Sequence, residues 1–548
     1  MKNWFRSGSP WIWMTGGAVS VSLIAVLGLL MLIAWRGLTY FWPSAIHEFN
    51  VQLEDGSSRT VIGEIYDREV VPVQRLVEAG VKVDPNLESV ERILVKTGNR
   101  EYVDLDFSWL LGTAITQQST PAAVAVFERF NNGNFYGYPI AIEEDGVKKN
   151  LTSADKLEAL IERAVALNDK AQDLQKGEIS SVNYELERIR LKLRSYELKD
   201  QLTSEIETKY SKISEGLRAE YQIHEAQLFS YRDQANRDAV IVKDMRGEEV
   251  RIPLANVLEV TYPNDMSIIS KAAHWFANIG SFITSDPREA NTEGGVFPAI
   301  FGTIFMVMLM AVIVTPLGVV AAIYLHEYAP KNGLTKMIRI AVINLAGVPS
   351  IVYGVFGLGF FVYMLGGSID ELFYPESSPS PVFGSPGVLW SALTLAILTL
   401  PVVIVSTEEG LSRIPTSLRQ GSLALGATKF ETLWRIIVPM ASPAIMTGLI
   451  LAVARAAGEV APLMLVGVVK LAPTLPVDMN FPYIHVERKF MHLGFHIYDV
   501  GFQSPNVEAA RPLVYATSFL LVTVIIGLNL TAIGVRNHLR EKFKNLEL

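Results

Sequence analysis

No cysteine occurs among the 548 residues, which excludes disulfides, thiolate metal sites and thiol catalysis within this chain. Compartment stays open, because an external domain of sufficient size needs no disulfide. A phosphate-cradling loop is also missing. Gly421 and Gly426 have the separation of that motif's two glycines, but Ala427-Thr428-Lys429 follows where Gly-Lys-Ser/Thr is required. No strand pattern precedes them, so the chain itself should bind no ATP. Nor does any soluble segment carry the basic face that nucleic acid would demand.

What is present is apolar and unevenly charged. Half the residues are hydrophobic (50%), yet 19% are charged, a mixture expected of a membrane protein with a substantial water-soluble part. Residues 44–295 hold 29 basic and 42 acidic side chains, a net −13 against −8 for the whole chain, which leaves +5 for the remainder. Two environments follow from that split.

Lys2 and Arg6 precede the apolar run Trp11 to Trp35, long enough to span a bilayer and too long for a signal-peptide core. Trp35, Tyr40, Phe41 and Trp42 mark its far end, as aromatics of the membrane interface do. Further runs cover Val296 to Tyr324, Ile338 to Leu365, Val388 to Val405, Ala441 to Val466 and Leu513 to Val535, about six spans in all. Basic loops fix the orientation. His326 to Arg339, the loop bearing Arg413, Arg419, Lys429 and Arg435, and the tail Arg536 to Lys544 alternate onto the side of the N-terminus. The positive-inside rule puts them, and both termini, in the cytoplasm. The acidic 44–295 block, 368–387 and 470–511 then fall outside.

No stretch of 44–295 could span. Alternating β-branched residues broken by Asp55-Gly56, Gly98-Asn99, Asp145-Gly146 and Gly247 read as strand-turn-strand units, including a strand at Tyr102-Val-Asp-Leu. Between about 153 and 236 the texture changes. Leu157, Leu160, Ala164, Leu167, Ala171 and Leu174 recur at helical spacing up to Gly177, and the pattern resumes from Val182 and again from Ile206. Glu, Lys and Arg fill the gaps, so a helical hairpin or short coiled coil is expected.

Two stretches carry chemistry. The loop 408–440 contains Gln420-Gly421-Ser422, Gly426, and Ile436-Ile-Val-Pro439. Thr416 to Phe430 can form a short amphipathic helix whose glycines let a partner approach the backbone; an ordinary packed helix-turn is the plainer alternative. The following span carries Arg455-Ala-Ala-Gly-Glu459. Ionisable residues at such depth are costly, and two placed four apart share a helical face and can neutralise each other. Either they pin the bundle, or Arg455 offers its planar fork of donors to an oxyanion while Glu459 holds it. Gly448 and Ala452 continue that face. Pro349-Ser350 lies in mid-span, where a plain kink competes with a break that lines a path.

The loop resembles the signature of binding-protein-dependent importer permeases of the ATP-binding-cassette class: Glu-Ala-Ala, three residues, Gly, nine residues, Ile-x-Leu-Pro. Gly426, Ile436 and Pro439 match, while Gln420, Gly421 and Ser422 stand where Glu-Ala-Ala would. Arg455-Ala-Ala-Gly-Glu459, then Ala461-Pro462-Leu463, is similar to the phosphate-specific subfamily, as are Gly294 to Thr303 and Gly347 to Gly354. Together these resemble its A-type permease subunits (PstA), from about Gly294 to the C-terminus.

The resemblance implies a MetI-like helical permease core at 296–548. It does not cover 44–295, which is far longer than the short loop expected there; after a first helix in 1–43, the residue patterns make that segment an inserted extracytoplasmic α+β domain. The resemblance implies an all-α polytopic protein of the bacterial inner membrane that imports phosphate and is not itself an enzyme. A cytoplasmic ATPase dimer would use ATP and magnesium and grip Gln420, Gly421, Ser422, Gly426, Ile436 and Pro439. A second permease subunit and an extracytoplasmic phosphate-binding protein complete the implied partners, and Arg455, Glu459 and Ser350 would line the substrate path. The residues alone leave two alternatives: a permease for sulfate or molybdate, and a non-transporting sensor that uses the external helices as input.

Overall fold

The computed structural model describes residues 8–53, 56–81, 83–84, 87–103, 106–151, 153–504 and 507–543. Lys2, Arg6, Asp55, Asp104, Leu105 and Lys544, on which parts of the orientation and turn readings rest, lie outside them. Among the described residues, six helices are long and apolar enough to cross a membrane. The first, α1 (Ser9–Thr39), starts on a proline near its N-terminus and buries nothing in its most apolar window.

After α1 the described residues form two large antiparallel sheets, besides a two-stranded one at Pro287–Arg288 and Glu293–Gly294. Strands β1 (Ile46–Gln52), β2 (Ser58–Pro72), β3 (Ser89–Lys96), β4 (Phe107–Leu111) and β5 (Ile115–Ser119) make the first, in the order β4-β3-β2-β1-β5. The second holds β6 (Ala125–Arg129), β7 (Phe135–Glu144), β9 (Ala239–Lys243), β10 (Glu249–Pro253) and β11 (Val257–Thr261) in the order β10-β9-β7-β6-β11. Strand β8 (Val147–Asn150) pairs with β7 through Asp145 (φ 51°) and Gly146 (φ 77°). Both central turn residues are left-handed, as a tight hairpin requires.

The expected strand at Tyr102 is absent. Arg100–Val103 form a helical turn, and the strand begins at Phe107. The reason is Asn99, left-handed at φ 55° and fully buried. Its carboxamide donates to Tyr136 O at 3.1 Å and accepts from Tyr136 N at 2.8 Å, pinning the end of β3 to β7 of the other sheet. Asn99→Ala leaves both backbone groups unpaired. At about 1–3 kcal/mol for each buried unsatisfied group, the two sheets should part more readily. Hydrogen exchange at the Tyr136 amide reads this directly, and it should rise by at least tenfold.

Helices α2 (Ala154–Leu174) and α3 (Ser180–Leu198) are one continuous rod, because a π-turn at Gln175–Ile179 carries the helix through Gly177, where the sequence pattern stops. The chain reverses at Asp200 (φ 52°) and returns as α4 (Ser204–Asn236). Leu157, Ile161 and Ala164 root the rod in the second sheet's core against Phe127, Phe135 and Val240. Ala171, Leu174, Ile179 and Leu228 then hold the two arms together. Helix α5 (Ile268–Thr284) leads into the membrane part.

That part comprises α6 (Phe297–Ile323), α7 (Gly333–Leu345), α8 (Ser350–Phe356), α9 (Gly367–Phe373), α10 (Val388–Arg413), α11 (Thr416–Ala424), α12 (Lys429–Thr432), α13 (Val438–Gly458), α14 (Leu463–Val466), α15 (Leu493–Tyr498) and α16 (Val507–Phe543). Helices α6, α10 and α13 form its centre, with Met306, Met310, Leu395, Ala452 and Ala456 buried together. Small residues set their spacing, as in other membrane bundles. A Cβ on Gly448 would meet Ser406 Cβ at 2.8 Å. Gly448 and Ala452 are therefore packing residues against α10, not an extension of a path from Arg455.

Two spans differ from their apolar runs. The run at Ile338 to Leu365 is broken: α7 ends at Leu345, and a new helix from Ser350 continues through π-turns to Phe373. Pro349 lacks an N–H and pushes Val348 out of helical conformation, so the helix restarts instead of kinking. The run at Ala441 to Val466 ends early, at Gly458, and its helix begins as far back as Lys429. A π-turn at Leu433–Ile437 lets that helix run through Pro439.

Candidate functional site

Two broken helices meet at the centre of the bundle. Arg455 lies in the last turn of α13, and Glu459 is the residue that ends it, extended at φ −78°, ψ 135°. The pair is therefore not two rungs of one helix, as its spacing suggests. It spans the point where the helix stops, and a cation there suits the carbonyl end of the helix dipole. Arg455 Nε lies 3.5 Å from Glu459 Oε1, with the side chains 34% and 20% exposed. Among the described residues no hydrogen bond from the Arg455 guanidinium is found, so most of its donors remain available. A pair this accessible adds little to stability, about 0–1 kcal/mol.

The second break faces the first. A Cβ on Gly354 would lie 2.7 Å from Pro462 Cα, so α8 rests directly on the chain just past Glu459. Ser350 is the first helical residue of α8 and leaves open N–H groups at the positive end of a helix that runs on to Phe373. Tyr353 closes the gap on its own side by donating to Leu345 O at 2.6 Å. The structure thus brings the breaks at 346–349 and 459–462 together. Among the described residues, no hydrogen bond joins Ser350 to Arg455 or Glu459. A third segment caps the break: a Cβ on Gly494 would meet Val460 Cγ2 at 2.7 Å, and Leu493 N donates to Thr303 Oγ1 at 2.9 Å. Beside it, burial holds His492 down to about 4, so the imidazole is neutral.

The loop 408–440 folds differently from one amphipathic helix. Helix α11 ends after Ala424, and Gly426 turns the chain at φ +91°, where only glycine is unstrained. It serves the turn, and the space beside it is open. Gly421 has open space where a Cβ would go. Thr428 then caps α12 in a reciprocal capping box with Glu431. Gln420 is exposed, whereas Ser422 is buried and bonds Thr432 at 2.9 Å, which locks the two halves of the loop. Ile436 and Pro439 are half-buried at the base of α13. Outward stand Leu423, Leu425, Phe430 and Trp434, with Leu425 91% exposed.

Sequence reasoning gave no role to Glu327, and the structure does. Its carboxylate pairs with Arg419 of α11 at 3.2 Å, and its carbonyl accepts from Lys429 at 2.5 Å. His326 contacts Ser412 Oγ at 3.2 Å. The C-terminal end of the Phe297–Tyr328 span is thereby fastened to both halves of the loop. One acidic residue opposite two basic ones was the available signal.

Residues 314–545 match the family described as the binding-protein-dependent transport system inner membrane component. A probable ABC transporter permease protein, YqgI, of Bacillus subtilis (strain 168) is 31% identical over 258 residues, 46% of this chain and 81% of that protein. The phosphate transport system permease protein PstA 1 of Mycobacterium tuberculosis (strain CDC 1551 / Oshkosh) is 31% identical over 287 residues, covering 52% and 83%. Among solved structures, an inward-facing MetNI methionine ABC transporter aligns at 17% identity over 44% of this chain and 94% of its own, with a TM-score of 0.33. The chain belongs to the binding-protein-dependent transport system inner membrane component family, and is thus a permease subunit of an ATP-binding-cassette importer and not itself an enzyme.

Proposed function

We propose that this permease carries inorganic phosphate into the cytoplasm past the paired breaks at Arg455–Glu459 and Pro349–Ser350. The observation that carries the reading is Arg455, accessible at a helix end with most of its donors uncommitted among the described residues. A planar guanidinium can grip two oxygens of a tetrahedral anion at once. The N–H groups opened at Ser350 add the positive end of a helix. Glu459 opposes tight binding, as release demands. The phosphate permeases of Mycobacterium tuberculosis and other relatives support this substrate.

Transport is driven from the loop 408–440. In this reading an ATPase dimer, which uses the ATP and magnesium, seats on Gln420, Gly421 and the exposed apolar residues around Leu425. Ser422, Gly426, Ile436 and Pro439 keep the loop rigid on α13, so that its displacement reaches Arg455 at the far end of the same helix. Glu327 carries the displacement to α6. A second permease subunit supplies the other half of the path, and a phosphate-binding protein delivers the anion.

The basic loops lie inside, both termini with them, and 44–295 lies outside as a separate domain. Support comes from contacts at both ends of the bundle. Glu327 joins the loops at 326–339 and 413–435, whereas Tyr184 of the helical hairpin bonds Phe481 O and packs on His485 of the opposite loop. The hairpin at 153–236, a short coiled coil in this reading, braces the outer loops or receives the binding protein.

Uptake of labelled phosphate by proteoliposomes holding the complete transporter tests the substrate. Excess unlabelled phosphate should abolish it, and equal sulfate or molybdate should leave most of it. Equal competition by sulfate would turn the reading into that of a general oxyanion permease.

A further inference from the structure

Helix α5 (Ile268–Thr284) has one face bound to the protein and another that none of the described residues covers. On the bound face Trp275 Nε1 donates to Leu38 O at 2.8 Å and Asn278 Nδ2 to Phe41 O at 3.3 Å. Phe282 is buried with Phe41 and Val296 on the same side. These bonds fix α5 against the last turn of α1, where the first span ends at Thr39. The free face carries Ile269, Phe276 and Ile283 at steps of seven, one stripe along the helix, 84%, 68% and 38% exposed. Ala273 and Gly280 fill the stripe between them, and it bears no charge. Ser270 and Ser281 lie on a separate polar arc, beside His274, which pairs with Glu259.

We propose that this stripe is immersed in lipid acyl chains, which makes α5 an interfacial helix mooring the sheet domain flat on the membrane. Continuity favours lipid over a protein partner. The apolar window of α1 has no buried residue, and most of its side chains are exposed, so a hydrocarbon-facing surface runs up to the point where α5 is bonded. Tyr40 and Trp42, 37% and 42% exposed, stand at that level as interface aromatics. A protein-binding face would carry a polar rim with hydrogen-bonding groups among the apolar ones. This stripe has none, and its segregation from the serine arc is the pattern of a helix lying in a bilayer boundary. The sheet side is equally fixed: Asn264, just before α5, bonds Ile46 N and O and Pro121 O. The domain is therefore held to the membrane along a helix as well as through the two connections to its flanking spans.

Because this chain has no cysteine, single spin labels can be placed in it once any cysteines of the partner subunits are replaced. Phe276→Cys and Ile269→Cys, with Ser270→Cys and Ser281→Cys as controls, are labelled in the complete transporter in lipid bilayers. Collisions with dissolved oxygen should exceed those with an aqueous nickel chelate several-fold at 269 and 276, and the order should reverse at 270 and 281. Nickel accessibility at both 269 and 276 would mean a face free in water and overturn the proposal. Exclusion of both reagents would mean a face covered by protein, the second permease subunit included, and would overturn it too. Should Phe276→Cys fail to assemble, Ile269→Cys gives the same readout from a side chain with fewer contacts to lose.

Discussion

Arg455→Ala should lower phosphate uptake at least about a hundredfold while the transporter assembles normally. A hydrogen bond to a charged group contributes about 1.5–3 kcal/mol, and the guanidinium can give two to one anion, with each 1.4 kcal/mol worth about tenfold. The informative variant is Arg455→Lys. If Arg455 served only to balance Glu459, a lysine would do so and uptake would stay near normal, because the pair is separated by 3.5 Å and partly solvated. If the planar fork grips the anion, lysine should still cost about tenfold, mostly as a raised KM. Assembly is read independently by co-purification of the partner subunits. Glu459→Gln should behave differently, tightening apparent binding while slowing turnover, since the opposing charge favours release.

Leu425→Asp should release the ATPase from the purified complex. Leu425 is 91% exposed at the tip of the loop, with Leu423, Phe430 and Trp434 beside it. An exposed apolar patch of this kind is the mark of a partner-binding surface, and under the proposed orientation it faces the ATPase. Placing a carboxylate at the centre of a desolvated interface costs about 2–4 kcal/mol or more, the range of a hot-spot residue, so affinity should fall at least about thirtyfold. Retention of the ATPase at wild-type levels would move the docking surface elsewhere. Ser422→Ala should keep the ATPase, since Ser422 is buried and its hydroxyl bonds Thr432 within the loop.

Much of the architecture was legible because it is written in hydropathy and charge. The six spans and the sheet-rich segment follow from run lengths and alternation, and the hairpin follows from helical spacing between Leu157 and Leu217. Backbone events inside the spans were not legible. An apolar window treats Ile338 to Leu365 as continuous and cannot register that Pro349 forces a restart at Ser350. The same blindness extended the Arg455 helix to Val466, although Gly458 and Glu459 end it. An alternating tetrapeptide from Tyr102 looked like strand, while the buried Asn99 carboxamide had already committed Arg100–Val103 to a helical turn. Local preference yields to a tertiary bond there.

The loop shows a different limit. Gly426 was recognised by its position in a spacing pattern, but its conformational duty at φ +91° needs the fold to be seen. Glu327 was passed over because its partners Arg419 and Lys429 are distant in sequence and close only after folding. Ion pairs between elements leave no period to detect.

The central claim, that phosphate passes the break at Arg455–Glu459, is tested most directly at position 459. Glu459→Cys in this cysteine-free chain can be modified by a small charged thiol reagent in the reconstituted transporter. Phosphate at saturating concentration should slow the modification several-fold, and sulfate should not. Modification at the same rate with and without phosphate, in a transporter that still takes phosphate up, would contradict the account.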